Sequence, residues 1–428
     1  MKSVSLASPR HLAGTVKPSM LDGLARRLVL RQLEQLERGE LRLRDDQTER
    51  RFGRAGDAPA VTLEVVDPRF WSELAFGGSI GAAEAYMHGY WRCDDLVALV
   101  RLLLRNREVL DGMEGGAARF TVPLQRLFHR INRNTHEGAR RNIAAHYDLG
   151  NDFFALWLDE TLMYSSAIFA RPDMSLHEAQ LYRLDHICRK LQLGPDDHVV
   201  EIGTGWGGFA LHAAQHYGCR VTTTTISREQ YEKAWQRIEE AGLQHRITLL
   251  LEDFRDLDGR YDKLVSIEMI EAIGHDLFVP YFRKCSELLK PDGAMLIQAI
   301  TIADQRYEEY RRSVDFIQRY IFPGSGLPSS AVMTGAAADH TDLRLLDLED
   351  IGLHYATTLH RWRRTFFERI DAVRAMGYPE AFIRMWEFYF CYCEGAFLER
   401  AISDVQLLFT KPGSRLDVGR RRLAAESS

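Results

Sequence analysis

Apolar residues in the second half of this chain fall into short runs separated by stretches of helical spacing. DHVVEI (197–202), CRVTTTT (219–225), RITLLLED (246–253), YDKLVSI (261–267) and GAMLIQAITI (293–302) are dense in β-branched and apolar residues. That is the pattern of strands covered on both faces. Between them, REQYEKAWQRIEEAG and LFVPYFRKCSELLK predict helices, and Lys290-Pro291-Asp292-Gly293 stops the second. DVQLLFTKP predicts one last strand. Alternation of strand and helix from about Leu181 onward predicts an α/β fold with a parallel, doubly wound sheet.

The first 125 residues predict a smaller, mixed α/β domain, with a strand in APAVTLEVVD (58–67) and a helix in DDLVALVRLLLRN (94–106). Between them, FWSELAFGGSIGAAEAYMHGYW is rich in glycine, alanine and aromatics, which suits either close helix packing or the lining of an apolar cavity. From about Gly115 to Arg141 the chain turns basic, and a helix is expected there to connect this domain to a second one spanning 126–428.

Composition narrows the class. With 428 residues, 46% hydrophobic and 27% charged, the chain is ordinary for a soluble globular protein of two or three domains. A formal net charge of −5 lacks the basic surplus of a nucleic-acid binder. Basic clusters at 361–364 and 419–422 suit either solvated surface or an anionic membrane. The six cysteines are scattered, and Cys391 and Cys393, two apart in a helical run, point to opposite sides. No disulfide framework and no metal site is expected. MKSVSLASPRHLAG lacks the apolar core of a signal peptide, and no apolar run is long enough to span a bilayer. A cytoplasmic protein is expected.

The strongest chemical signal is VVEIGTGWGG (199–208). A strand ends near Ile202, Gly203, Gly205 and Gly207 form a tight turn, and a helix starts near Gly208. Glycine is needed where the backbone takes unusual angles or a ligand approaches it closely. Such loops also serve dinucleotides. Three details favour S-adenosylmethionine. Glu201 lies on the strand itself, where it can hold the loop or reach the ligand's ammonium through water. No acid ends the second strand, where a dinucleotide enzyme binds ribose. Asp253 and Phe254 end the third strand, where an acid and an aromatic can bracket adenine. Ser227 and Gln230 fit a capping box, and Gln230 also suits a ribose contact.

HYDLGNDFFALWLDETLMYSSAIF (146–169), this loop, TTISREQ, IEMIEAIG and RYIFPGSGLPS together resemble the cyclopropane-fatty-acyl-phospholipid synthases, with the related mycolic-acid cyclopropane synthases and fatty-acid methyltransferases. The likeness runs from about residue 140 to 412. It implies a class I methyltransferase domain behind a smaller N-terminal domain used for lipid association or dimerisation. It implies S-adenosylmethionine as cofactor, a homodimer, and peripheral contact with membrane phospholipid, for which the stretch at 361–364 is a candidate. By position, the cofactor contacts would be Tyr164, Ser165, Glu201, Gly203, Thr204, Gly205, Trp206, Gly207, Gly208, Thr225, Ile226, Ser227, Gln230, Asp253 and Phe254.

The implied reaction forms a cyclopropane at the cis double bond of an acyl chain. An alkene is a poor nucleophile, so positioning in a dry site matters most. Methyl transfer leaves a carbocation, which aromatic faces can stabilise. Tyr147, Phe153, Phe154, Tyr164, Tyr355 and Trp362 are candidates, with a core role as the alternative for each. A base must then remove a proton to close the ring. In the family this base is a bound bicarbonate, held by a cysteine, a glutamate, a histidine, a tyrosine and an isoleucine backbone. Glu271, Ile300 and Tyr355 match. Ser166 stands in place of the cysteine and Gln298 in place of the histidine. Both can donate hydrogen bonds to an anion, but neither brings a positive charge. Those two departures keep open a methylene- or methyl-branched product without ring closure, and a lipid-binding protein that has lost turnover. Glu271, after the fourth strand, suits either the base or a buried paired carboxylate. Cys393 matches a cysteine traditionally assigned to the active site, or it is a small residue lining an acyl channel.

Overall fold

The computed structural model describes residues 19–46, 48–115 and 149–417. Tyr147, most of the expected connecting helix and the basic cluster at 419–422 lie outside them. The chain divides into two compact units. The first comprises residues 19–115 with Ser313–Ile321 and Leu359–Ala401; the second comprises 149–312, Phe322–Thr358 and 402–417. The first unit is therefore not confined to the N-terminal segment: two later stretches return to it.

In the first unit, β1 (Glu40–Asp45), β2 (Thr48–Gly53), β3 (Ala60–Val65) and β4 (Trp91–Cys93) form a sheet in the order β2-β1-β3-β4. β1 and β2 (ELRLRD and TERRFG) are too charged to stand out as apolar runs. The glycine- and alanine-rich segment is a helix, Arg69–Met87, broken at Gly78, where φ is +58° and ψ −140°. Its small residues let neighbours approach: Gly81, Ala83 and Ala85 are buried. Close packing, rather than a cavity wall, is what this segment does here. The apolar helix Glu380–Leu398 packs on Leu96–Arg105, and Gly395 is where they meet.

In the second unit, β5 (His198–Ile202), β6 (Arg220–Thr224), β7 (Ile247–Leu250), β8 (Tyr261–Ile267), β9 (Leu289–Ile302), β10 (Arg344–Asp350) and β11 (Ile402–Thr410) form one sheet in the order β10-β11-β9-β8-β5-β6-β7. β5 to β9 are mutually parallel, and β11 runs antiparallel between β9 and β10. This is the doubly wound sheet the alternation predicts, closed by an antiparallel strand. The edge strand β10 is not among the predicted runs, because its Leu345 and Leu348 are exposed rather than covered. One face packs Val200, Leu264, Met295 and Leu407 against the helices Phe278–Leu288 and Ser330–His340. The other packs Val199, Val221, Val265 and Leu408 against Leu176–Leu191, Gly208–Tyr217 and Arg228–Glu240.

A Cβ at position 395 would sit 2.7 Å from Val100 Cγ1 and 2.8 Å from its Cβ. Gly395→Ala is expected to destabilise the first unit by about 1–3 kcal/mol through overpacking, read as a lowered denaturation midpoint.

Candidate functional site

The carboxyl ends of β5, β6, β8 and β9 carry the site. After β5 the loop turns through Gly203, Gly205 and Gly207, with φ of +98°, +53° and +85°. The amides of Gly203 and Thr204 donate to Thr224 O on β6, at 3.1 and 2.9 Å. The Thr204 hydroxyl donates to Thr223 Oγ1 (2.5 Å), which donates to Glu201 Oε2 (2.6 Å). Glu201 thus anchors the loop. Burial pushes its carboxyl up to about 8, opposed by the Thr223 hydroxyl and the Arg183 charge. A Cβ at Gly208 would lie 2.3 Å from Met163 Sδ and 3.0 Å from Thr161 O, so glycine lets these segments approach closely. At Gly205 an added Cβ would meet no protein atom within 4 Å. The loop is therefore open on that side and fits the close approach of a cofactor.

Of the other expected cofactor residues, Trp206 lies in the loop itself, Thr225 to Gln230 follow β6, and Asp253 and Phe254 follow β7. Trp206 is buried, and its indole N–H donates to Asn151 Oδ1 (2.6 Å). Its ring lies 5.2 Å from Phe154, which lies 5.5 Å from Tyr164. Phe153 is buried beside Phe154 and Trp157. Ser165 Oγ accepts from Arg183 Nη2 (2.8 Å). Ser227 caps its helix, accepting from the Gln230 amide. The capping box is not reciprocal, however: the Gln230 side chain accepts from the Thr225 hydroxyl (2.9 Å), and the Ser227 amide donates to that same oxygen (3.1 Å). Ile226, between them, is half-buried. Asp253 is held bidentately by Arg255 (2.8 and 2.7 Å), and Phe254 packs edge-on against Tyr281.

Beyond β8, the chain places a residue that the sequence reading passed over. Glu268 has φ of +49°, a strained conformation for a non-glycine residue. Its Oε1 accepts from the Ser166 amide (2.8 Å) and from Gln298 Nε2 (2.8 Å). Its Oε2 accepts from the Tyr355 hydroxyl (2.7 Å). Gln298 also donates to Asp404 Oδ2 (3.0 Å) and accepts from Gln406 Nε2 (3.1 Å), so both its amide protons are used. The Ser166 hydroxyl donates to Ala167 O (3.0 Å). Glu271 accepts from the Ile300 amide, and its Oε2 is buried without a partner among the described residues. Ser166, Gln298 and Tyr355 therefore converge on Glu268, and Glu271 pairs with Ile300.

Three carboxyls share this region with one fully buried guanidinium, Arg183. Burial pushes Glu271 up to about 8, helped by the charge of Glu268. Asp404 is raised well above the usual carboxylate range by burial and by both glutamates. Burial raises Glu268 too, but the Ser166 amide, Tyr355, Arg183 and Gln298 all oppose the rise. Glu268 receives three hydrogen bonds on its two oxygens, which favour its charged form, while burial favours the protonated form of the other two. Signals for these residues exist in the sequence. Glu268 ends a strand at the sheet edge where ligands bind, and Asp404 and Gln406 interrupt an otherwise apolar buried strand at alternate positions.

Cys393 and Trp362 belong to the first unit. Burial pushes the Cys393 thiol far above its ordinary range, which disfavours its thiolate form. In the basic stretch, Trp362 is buried and Arg363 is paired with Glu394 (3.0 Å). Among the described residues there is no cluster fit for a metal and no helix long and apolar enough to cross a membrane.

Comparison with known proteins sets this geometry in context. Residues 134–407 match the family described as mycolic acid cyclopropane synthetase. The chain is 39% identical to the tuberculostearic acid methyltransferase UfaA1 of Mycobacterium tuberculosis over 344 residues, covering 78% of this chain and 80% of that one. It is 36% identical to a cyclopropane-fatty-acyl-phospholipid synthase of Escherichia coli over 359 residues, covering 83% and 89%. The solved cyclopropane synthase MmaA2 of Mycobacterium tuberculosis superposes with a TM-score of 0.59 at 30% identity, over 64% of this chain and 98% of that one.

Two outcomes follow from the site. Gly205→Ala places a non-glycine residue at φ +53°, at a cost of about 1–2 kcal/mol, but its methyl meets no protein atom, so it should fold and weaken S-adenosylhomocysteine binding at least about tenfold by calorimetry. Glu271 has an ordinary value of 4.5 and is held at about 8 in the fold, so between these values the folded state keeps a proton the unfolded chain has lost. Stability must therefore fall as pH rises through that interval, by at most about 1.4 kcal/mol per pH unit from this group. Chemical denaturation of Glu271→Gln across the same interval should show a shallower fall, Glu201 keeping its own contribution.

Proposed function

The chain is an S-adenosylmethionine-dependent methyltransferase of the mycolic acid cyclopropane synthetase family, and on that premise we propose that it methylates the cis double bond of an unsaturated acyl chain in a phospholipid. The observation that carries this reading is the acid cluster of half-buried Glu268 with buried Glu271 and Asp404, set at the sheet end that also bears the glycine loop. Methyl transfer to an oxygen or nitrogen nucleophile ends with loss of an acidic proton that water can take. Transfer to an alkene leaves a carbocation whose C–H proton needs a base inside a dry site.

S-adenosylmethionine supplies an electrophilic methyl group when bound. The chain's part is to hold that group and manage the cation. The loop from Gly203 to Gly208 gives the cofactor a close backbone surface. Phe154, Tyr164 and Trp206 form an aromatic group beside it, and the faces of such rings favour a nearby cation. Lipid reaches the site by docking at the bilayer surface.

For the product, the reading favours an open chain. Its support is the tuberculostearic acid methyltransferase among the relatives, together with Ser166 and Gln298 in place of the family's cysteine and histidine. Loss of a proton from the cation then leaves a methylene branch, and a methyl branch needs an added hydride. Ring closure is the second reading, favoured by the similarity to the Escherichia coli cyclopropane synthase.

Incubation with methyl-labelled cofactor and vesicles of a monounsaturated phospholipid should put label into the acyl fraction, with a gain of one CH2. Proton NMR of the methyl esters then separates an exomethylene from a ring. Label absent from the acyl chains would overturn the proposal; a cyclopropane signal would select the second reading.

A further inference from the structure

A bicarbonate ion, which the family resemblance implies, needs hydrogen-bond donors and a counter-charge. Here three of the expected cage groups are already taken. The Ser166 amide, the Gln298 side-chain amide and the Tyr355 hydroxyl all donate to the carboxylate of Glu268, at 2.8, 2.8 and 2.7 Å. The Ile300 amide donates to Glu271. An added anion would face the Glu268 carboxylate, and the Arg183 guanidinium is already drawn on by that group. The residues present do not fit bicarbonate.

They fit a carboxylate that the chain supplies itself. We propose that Glu268 is the anion of this site, standing where an external bicarbonate would otherwise be held. The left-handed backbone at Glu268 supports this. Its amide donates to Gln298 O (2.7 Å), which fixes the residue beyond the end of β8 and turns its side chain onto the three donors. A strained residue persists only where its surroundings hold it there. In the reaction proposed above, on which the chemical role rests, the C–H bond of the cation breaks. Its electron pair forms the new carbon–carbon bond, whether exomethylene or ring, and the proton passes to the Glu268 carboxylate, which becomes neutral.

Two variants test the idea. Glycine adopts a φ of +49° without strain, so Glu268→Gly should fold and leave the three donors facing a space of carboxylate size. Glu268→Gln keeps the size and removes the charge. With S-adenosylhomocysteine bound, 13C-bicarbonate should show no line broadening with the parent and clear broadening with Glu268→Gly. This readout stands whether or not turnover is found. In turnover, the parent should be indifferent to removal of bicarbonate. Glu268→Gln should lose at least about tenfold in kcat, and Glu268→Gly should recover activity with added bicarbonate or formate. Bicarbonate binding to the parent, a parent rate that depends on bicarbonate, or a Glu268→Gln variant at the parent rate would each overturn the proposal. So would absence of bicarbonate binding by a Glu268→Gly variant that still binds S-adenosylhomocysteine; if that variant does not fold, the parent and Glu268→Gln decide. A parent that labels no acyl chain would instead overturn the proposed substrate, leaving the binding measurement to judge Glu268.

Discussion

The site depends on strand register. β8 pairs with β9 so that Ile267 lies beside Gln298, and β9 pairs with β11 so that Gln298 faces Gln406 and Ile300 faces Asp404. Side chains alternate along a strand, so a slip of one residue would turn Gln298, Asp404 and Gln406 to the opposite face of the sheet. In the observed register the three polar groups share a face, and Gln298 hydrogen-bonds both Asp404 and Gln406 across it. The apolar residues between them, Ile297, Ala299, Val405 and Leu407, fill the core on the other side. The same alternation that builds the core thus aligns the chemistry.

Burying three carboxyls beside a single guanidinium is unfavourable unless most of the acids stay neutral. The hydrogen bonds are shared unequally. Glu268 receives three donors on its two oxygens, while Glu271 receives the Ile300 amide and Asp404 the Gln298 amide, and burial raises both of those carboxyls. Gln298 is suited to this arrangement because a primary amide offers two donors and an acceptor at once, and all three are engaged. A neutral imidazole in its place would have a single N–H to give.

The glycine loop is a separate device on the same sheet. Its shape is set by positive φ angles and by a chain of hydroxyls from Thr204 through Thr223 to Glu201. Glu201 thereby spends its acidic group on holding the backbone, which leaves the loop's open side at Gly205 for the cofactor.

Much of this was legible in the sequence. The strand runs from 197 to 302, the stop at Lys290-Pro291-Asp292-Gly293 and the glycine loop follow from local rules of burial, turn geometry and side-chain spacing; they gave the α/β class and, with the motif resemblance, pointed to S-adenosylmethionine. Strands β1, β2 and β10 were not legible, because their charged or exposed side chains leave no apolar run. Nor was the role of Glu268. In the sequence it is a polar residue three before Glu271, and nothing local says where its side chain points. Its partners come from positions 166, 298 and 355, and only the folded register brings one amide, one side-chain amide and one hydroxyl within hydrogen-bond reach of the same carboxylate. The sequence alone determined the order of local elements, the glycine loop and the methyltransferase class; the tertiary structure decided which donors surround Glu268, because that depends on contacts between residues far apart in the chain.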